Sequence, residues 1–190
     1  MSLVKERVPK ARTTTVFTIG HSTRTLEEFL SLLKVYGVQR VVDIRTIPGS
    51  YHAPQFNRET LKNSLETAGV KYAHMPSLGG LRRALKNSKN TGWRNPTFRG
   101  FADYMQTEEF QKGLEELMRR AGEEKVAIMC AEAVPWRCHR SLIADALTVR
   151  GINVEHILSA TSLQTHKVTP WAKTRGSHVT YPPPTKPKKT

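Results

Sequence analysis

The stretch from Lys125 to Val149 constrains this chain most. Val126-Ala127-Ile128-Met129 is a run of four apolar residues, the pattern of a strand covered on both faces. Leu142, Ile143, Ala146 and Leu147 then follow helical spacing, so the chain changes from strand to helix between Cys130 and Arg140. Cys130, Glu132, Arg137, Cys138, His139 and Arg140 fall in that short interval. In an open parallel sheet such a junction lies at the carboxyl ends of the strands, where ligands bind.

Strand and helix patterns alternate along the rest of the chain. Thr15 to Ile19 reads as a first strand ending at Gly20-His21-Ser22, and Thr25 with Glu28 forms a capping box for a helix closing near Gly37. Val38 to Ile44 reads as a second strand that delivers Asp43 and Arg45 to its end. Asn57 is an N-cap for a helix that stops at Gly69, and Val70 to Met75 is a third strand. Periodicity is lost from Pro76 to Gly100, a segment mixing Arg82, Arg83, Lys86, Lys89, Arg94 and Arg99 with Trp93 and Phe98. Phe101 to Met105 reads as a short helix, Thr107 caps a longer one ending at Gly122, and Ile152 to Leu158 follows the organising stretch as a fifth strand.

This alternation predicts an α/β fold: a single three-layer domain with a five-stranded, mostly parallel sheet in the order 3-2-1-4-5 and helices on both faces. The domain is expected over residues 15–172, between a basic leader (1–14) and a basic Pro/Lys-rich tail (173–190). That order sets strand one beside strand four, so His21 and Ser22 would face Cys130 and Glu132, with Asp43 and Arg45 one strand away.

The formal charge of +14 lies more than half in the leader and the tail. An excess of this kind attracts polyanions, nucleic acid included, but without positioning residues the attraction is non-specific. A solvated basic surface is the plainer reading. No apolar run spans a bilayer and the first residues lack the apolar block of a secretory signal, so no membrane partner is expected and the expected location is cytoplasmic. Two cysteines are no disulfide framework, and a reducing compartment would leave both as thiols.

Cys138 sits at the helix start between Arg137 and Arg140, the surroundings that lower a thiol's pKa, and is the better nucleophile candidate. Cys130 ends an apolar run and either packs inertly or lines a pocket floor. Glu132 lies just past a buried strand, where desolvation would suit it to acid or base work, unless it simply pairs with Arg140 or Arg45. His139 and His21 are proton carriers or anion ligands, or satisfied structural groups. Arg45, Arg137 and Arg140, with Ser22 and Asp43 nearby, suggest an anionic ligand, although Asp43 and Arg45 also suit each other as a pair. The cysteine spacing matches neither a compact zinc pattern, the Cys-x-x-Cys of redox proteins, nor the phosphatase loop. No Gly-x-Gly-x-x-Gly or Walker loop is present, so neither a dinucleotide nor a triphosphate cofactor is indicated, and the cofactor stays open. A metal set drawn from His21, Asp43, Cys130, Glu132, Cys138 and His139 is a third possibility. The cations and aromatics of Arg82 to Arg99 suit single-stranded nucleic acid, or else belong to a folded lid.

Taken together, Thr18-Ile19-Gly20-His21-Ser22, Val42-Asp43-Ile44-Arg45, Leu78-Gly79-Gly80, the run from Arg94 to Met105, and Met129-Cys130-Ala131-Glu132 through Cys138-His139-Arg140 resemble the domain of unknown function 488 family. The resemblance covers about Val16 to Trp171. It implies a compact microbial α/β domain whose activity is not established. The residues therefore suggest an enzyme acting by hydrolysis or group transfer on a phosphate-bearing substrate, a nucleotide or nucleic acid. The alternative is a non-catalytic nucleic-acid or anion-binding module.

Overall fold

The computed structural model describes residues 14–183. It is an α/β domain built on a six-stranded sheet in the order β3-β2-β4-β1-β5-β6. β1 (Thr15–Gly20), β2 (Arg40–Asp43), β3 (Lys71–His74), β4 (Val126–Cys130) and β5 (Asn153–Ser159) run parallel, and β6 (Ser162–Thr165) closes one edge antiparallel to β5. The fold class matches the expectation; the order does not. β4 inserts between β2 and β1, and β6 adds a strand.

The physical reason lies in how completely each strand is buried. β1 and β4, the strands with the most buried residues, take the two middle places of the sheet, whereas β5, with half-buried and exposed residues, lies toward the β6 edge. Alternate side chains of β4 enter two separate cores. Val126, Ile128 and Cys130 face one, Ala127 and Met129 the other.

The two cores follow from crossover handedness. Connections from β1 to β2 and from β2 to β3 move one way across the sheet, carrying α1 (Leu26–Val35) and α2 (Arg58–Thr67) onto one face. The returns to β4 and β5 move the other way, so right-handed crossovers place α3 (Pro96–Tyr104), α4 (Glu108–Glu123) and α5 (Arg140–Thr148) on the opposite face. The α1 capping box is complete, with Glu28 N–H donating to Thr25 Oγ1 at 3.1 Å and Thr25 N–H to Glu28 Oε2 at 2.8 Å.

The segment without periodicity is folded. Asp103, buried on α3, accepts from Leu85 N at 2.9 Å, Ser88 Oγ at 2.6 Å and Asn90 Nδ2 at 2.8 Å, so one carboxylate gathers the loop. α3 starts at Pro96, earlier than expected, because Asn95 caps it by accepting from Thr97 N at 2.8 Å. Arg82 lies over the Tyr104 ring at 3.6 Å and Arg99 donates to the Trp93 carbonyl, so these cations serve the loop's own structure.

Residues expected to form a tail from Lys173 instead carry a hairpin, β7 (Lys173–Arg175) with β8 (His178–Thr180), followed by a fully buried Tyr181. Tyr181 donates to Asp145 Oδ2 at 2.7 Å, and its amide donates to Asn90 Oδ1 at 2.8 Å. The leader up to residue 13 and the tail from residue 184 lie outside the described residues. Among the described residues, no helix is long and apolar enough to cross a membrane.

Candidate functional site

The carboxyl ends of β1, β2 and β4 meet at one rim of the sheet. Gly20 pairs with Cys130 in register, His21 N–H donates to the Cys130 carbonyl at 3.0 Å, and Ser22 N–H to the Ala131 carbonyl at 2.8 Å. Ser22 reaches that carbonyl with φ at +48°, a conformation that costs a non-glycine residue about 1 kcal/mol or more. On the other side, Ile44 N–H donates to the Met129 carbonyl at 3.0 Å, which brings β2 beside β4 rather than one strand further off.

Above this rim lies a cavity of about 420 Å³. His21, Arg45, Cys130, Glu132, Arg137, Cys138 and His139 line it, and so do Ile47, Gly80, Leu81 and Phe98. Ser22, Asp43 and Arg140 do not line it.

Cys138 holds the centre. A turn, Pro135–Arg137, ends with Cys138 N–H donating to the Pro135 carbonyl at 3.0 Å, and α5 begins two residues later. The Cys138 sulfur therefore faces the first amide of the helix. It accepts from Arg140 N at 3.5 Å and from Arg140 Nε at 3.4 Å, and lies 3.6 Å from His139 Nδ1. Burial by itself raises this thiol's pKa, but a hydrogen bond from Cys130, the neighbouring His139 and the Arg140 charge outweigh it and hold Cys138 well below its ordinary value. Cys130 is pushed the other way, because it donates to Cys138, is buried, and would place a second negative charge beside the first. The two thiols titrate as a pair in which Cys138 is the partner favoured to ionise.

Arg140 is 1% exposed and has no carboxylate partner among the described residues. Its remaining donors go to the Glu132 carbonyl and to Thr18 Oγ1 at 3.5 Å. Gly20 makes this possible: a Cβ there would lie 1.8 Å from the Glu132 carbonyl oxygen and 2.9 Å from the guanidinium. Glu132 therefore serves Arg140 through its backbone. Its carboxylate is exposed and pairs with neither Arg140 nor Arg45, which departs from the desolvated acid read from its position past a buried strand.

Arg45 is spent within the protein. It holds Asp43 by two donors, Nε to Oδ1 at 2.9 Å and a terminal nitrogen to Oδ2 at 2.6 Å, and it also donates to the Phe56 carbonyl at 2.7 Å. Asp43 is fully buried, and Tyr72 donates to it at 2.9 Å. The plainer of the two readings of this pair is the one the geometry carries. Of the three arginines expected to grip an anion, Arg137 alone is exposed at the cavity, and among the described residues its side chain makes no ion pair.

His21 stacks on Phe56 at 4.4 Å and is buried, and that burial, with Arg45 close by, lowers its pKa to about 4 despite the Ser22 carbonyl. It is a neutral ring at physiological pH. His139 Nε2 lies 3.1 Å from the Leu78 carbonyl; since a carbonyl only accepts, Nε2 carries a proton, and Nδ1 stands 3.6 Å from the Cys138 sulfur. Gly80 admits this ring, because a Cβ there would lie 2.4 Å from Nδ1.

Of the six residues offered as a metal set, three come together. Ligand atoms of Cys130, Cys138 and His139 all lie within 4.8 Å of one another, a soft donor set that could hold zinc or copper. Asp43 is committed to Arg45 and Tyr72, and Glu132 and His21 stand outside the group.

Several contributors have no chemistry of their own to betray them. Phe56 and Leu81 read as ordinary core or loop residues, and Phe98 was read among the aromatics of the Arg82 to Arg99 segment rather than as part of this site. No protein of curated function and no solved structure matches the chain. A family model does match, over residues 25–147, which takes in β2, β4 and the turn carrying Cys138 and His139. By that match the chain belongs to the family described as "Domain of unknown function DUF488".

Proposed function

We propose that this protein is a thiol-dependent enzyme that acts on a phosphate-bearing substrate, of the nucleotide or nucleic-acid class, by group transfer or hydrolysis. One observation carries the reading: a cysteine sulfur lines a cavity while two N–H groups of a buried arginine point at it. An arrangement of this kind stabilises a thiolate and leaves it facing a ligand.

In this reading Cys138 is the nucleophile. Its sulfur forms a bond to the electrophilic atom of the substrate, and the bond to the leaving group breaks with its electron pair passing to that group. Glu132, exposed at the cavity, conveys a proton from solvent to the leaving group. Water or a second acceptor then displaces the sulfur and restores the thiolate. Arg137 receives the anionic portion of the substrate, His21 supplies a neutral ring nitrogen, and His139 stands beside the sulfur. Arg140 is a positioning residue that acts through Cys138. Ile47 and Leu81, 69% and 66% exposed, offer apolar surface to the uncharged part of the ligand.

The test is turnover and intact-mass spectrometry against a panel of nucleotides. A productive substrate leaves an adduct on the Cys138 peptide, and Cys138→Ala abolishes turnover. Turnover that survives Cys138→Ala at the wild-type rate overturns the reading. Saturable binding with no turnover and no adduct would instead favour a non-catalytic anion-binding module.

A second reading rests on the His139 geometry. A metal-bound imidazole usually gives its other N–H to a carbonyl, as His139 does to Leu78. Cys130, Cys138 and His139 would then hold a soft divalent ion, with a further position open to the cavity. Elemental analysis of chelator-free protein separates the two readings: stoichiometric metal that is lost in Cys130→Ser and Cys138→Ser favours the second.

A further inference from the structure

All three tryptophans of the chain, Trp93, Trp136 and Trp171, line one cavity of about 300 Å³ that shares no lining residue with the cavity above Cys138. They arrive from three separate segments: the loop before α3, the turn before α5 and the strap after β6. Trp93 and Trp171 stand 5.1 Å apart with their planes at 69°, so the two indoles form a corner. Trp136 and Trp171 remain 58% and 37% exposed, an unusual amount of aromatic surface to leave facing solvent at one place. Trp93 Nε1 is buried and has no acceptor among the described residues, and orphaned buried donors are rare unless a ligand or water completes them.

The polar lining narrows the ligand. His156 Nε2 lies 3.0 Å from His166 Nδ1, and His166 Nε2 lies 2.8 Å from Asp145 Oδ1, so the histidines are oriented from behind by a buried carboxylate. Lys167 is exposed and lines the cavity, whereas none of its described lining residues carries a carboxylate. An aromatic cage for a cation would not set a lysine beside the ligand. Flat aromatic walls with one mobile cation instead suit a planar heterocycle bearing a negative group.

We propose that this cavity is a second binding site, separate from the Cys138 cavity, for a nucleobase that carries a phosphate. The base stacks against the indoles and the phosphate meets Lys167. The inference does not depend on what Cys138 does. The same chemistry is offered by a free mononucleotide and by the end of a single strand, and we assign the mononucleotide.

Because no tryptophan lies elsewhere, intrinsic tryptophan fluorescence of the full chain reports on this cavity, and substitutions at Trp136 and Lys167 separate it from the Cys138 cavity, whose Phe98 stands 4.8 Å from Trp93. The experiment titrates the four common nucleoside monophosphates, their nucleosides, inorganic phosphate and a short single-stranded oligonucleotide, with excitation at the red edge of indole absorption. Saturable quenching by at least one monophosphate is expected, with none from inorganic phosphate. Trp136→Ala should weaken that binding by about tenfold or more, the scale of one lost stacking partner. Lys167→Ala, an exposed position that cannot disturb the core, should weaken the monophosphate and leave its nucleoside unchanged. Saturable quenching by the oligonucleotide alone overturns the mononucleotide assignment. No saturable quenching by any of these ligands, or quenching that survives both substitutions, overturns the site itself.

Discussion

The guanidinium of Arg140 lies 3.4 Å from the sulfur of Cys138 through its Nε, and both side chains are buried. A buried cation with no carboxylate of its own is costly, and a thiolate is the anion within reach that offsets it. Each group thus holds the other in its charged form.

The first prediction concerns that charge. Thiolate absorbance followed against pH, together with iodoacetamide labelling, should show Cys138 ionised well below the ordinary thiol value of about 8.5, and Cys130 silent across the same range. Arg140→Lys keeps the charge but loses the planar Nε–H, and should move the Cys138 transition upward toward the ordinary thiol value. Equal labelling of both cysteines with an ordinary midpoint would remove the thiolate.

Two glycine substitutions should differ in kind. At Gly80 a Cβ meets the side chain of His139, which can rotate away, so Gly80→Ala should cost about 1–3 kcal/mol and loosen the imidazole. At Gly20 it meets the Glu132 backbone, which cannot move without parting β1 from the turn, so Gly20→Ala should cost more. Thermal unfolding of the two variants checks the order, and the reverse order would mean that this rim is pliable.

Acid should destabilise the fold through its histidines. His21 is held near 4 mainly by burial, and His156 near 4 by burial and by His166, against an unfolded value of about 6.5. Because both folded values are depressed, their contribution is fully present above about pH 6.5 and is lost as pH falls through about 4. The unfolding temperature should therefore decline across that window, and His156→Gln should flatten the slope. An unchanged slope would show that other groups carry it.

The segment after Lys173 should behave as part of the domain. Tyr181→Phe removes the hydroxyl that Asp145 accepts from and should cost about 1–3 kcal/mol by denaturant unfolding. Deleting residues 173–190 should cost more, since it also uncovers the fully buried Tyr181 ring position and frees Asn90. A truncated protein as stable as the full chain would show that the hairpin contributes nothing.

Local and periodic features were legible in the residues alone. The β4 run announced a strand covered on both faces, Thr25 with Glu28 announced a helix start, and alternation of the two periods announced a parallel sheet with helices on both sides. Each depends on near neighbours, which a linear pattern records. The adjacency of β1 and β4, and with it the meeting of His21 and Cys130, also followed from the alternation.

Beyond the β1–β4 pairing, partner choice between distant segments was decided only by the tertiary structure. Nothing within β2 states that β4 will lie beside it, because strand order depends on which strands the whole sheet can cover. β6 has every residue exposed, and β7 and β8 are three residues each, too short and too polar to show a period. Whether Arg45 was free or held by Asp43, whether Glu132 would offer a carboxylate or a carbonyl, and that three tryptophans from three segments would share a wall are all questions of who stands next to whom. The order of residues along the chain determines what each segment can become; close packing, which satisfies every buried donor and charge at once, determines which side chains are left to meet a ligand.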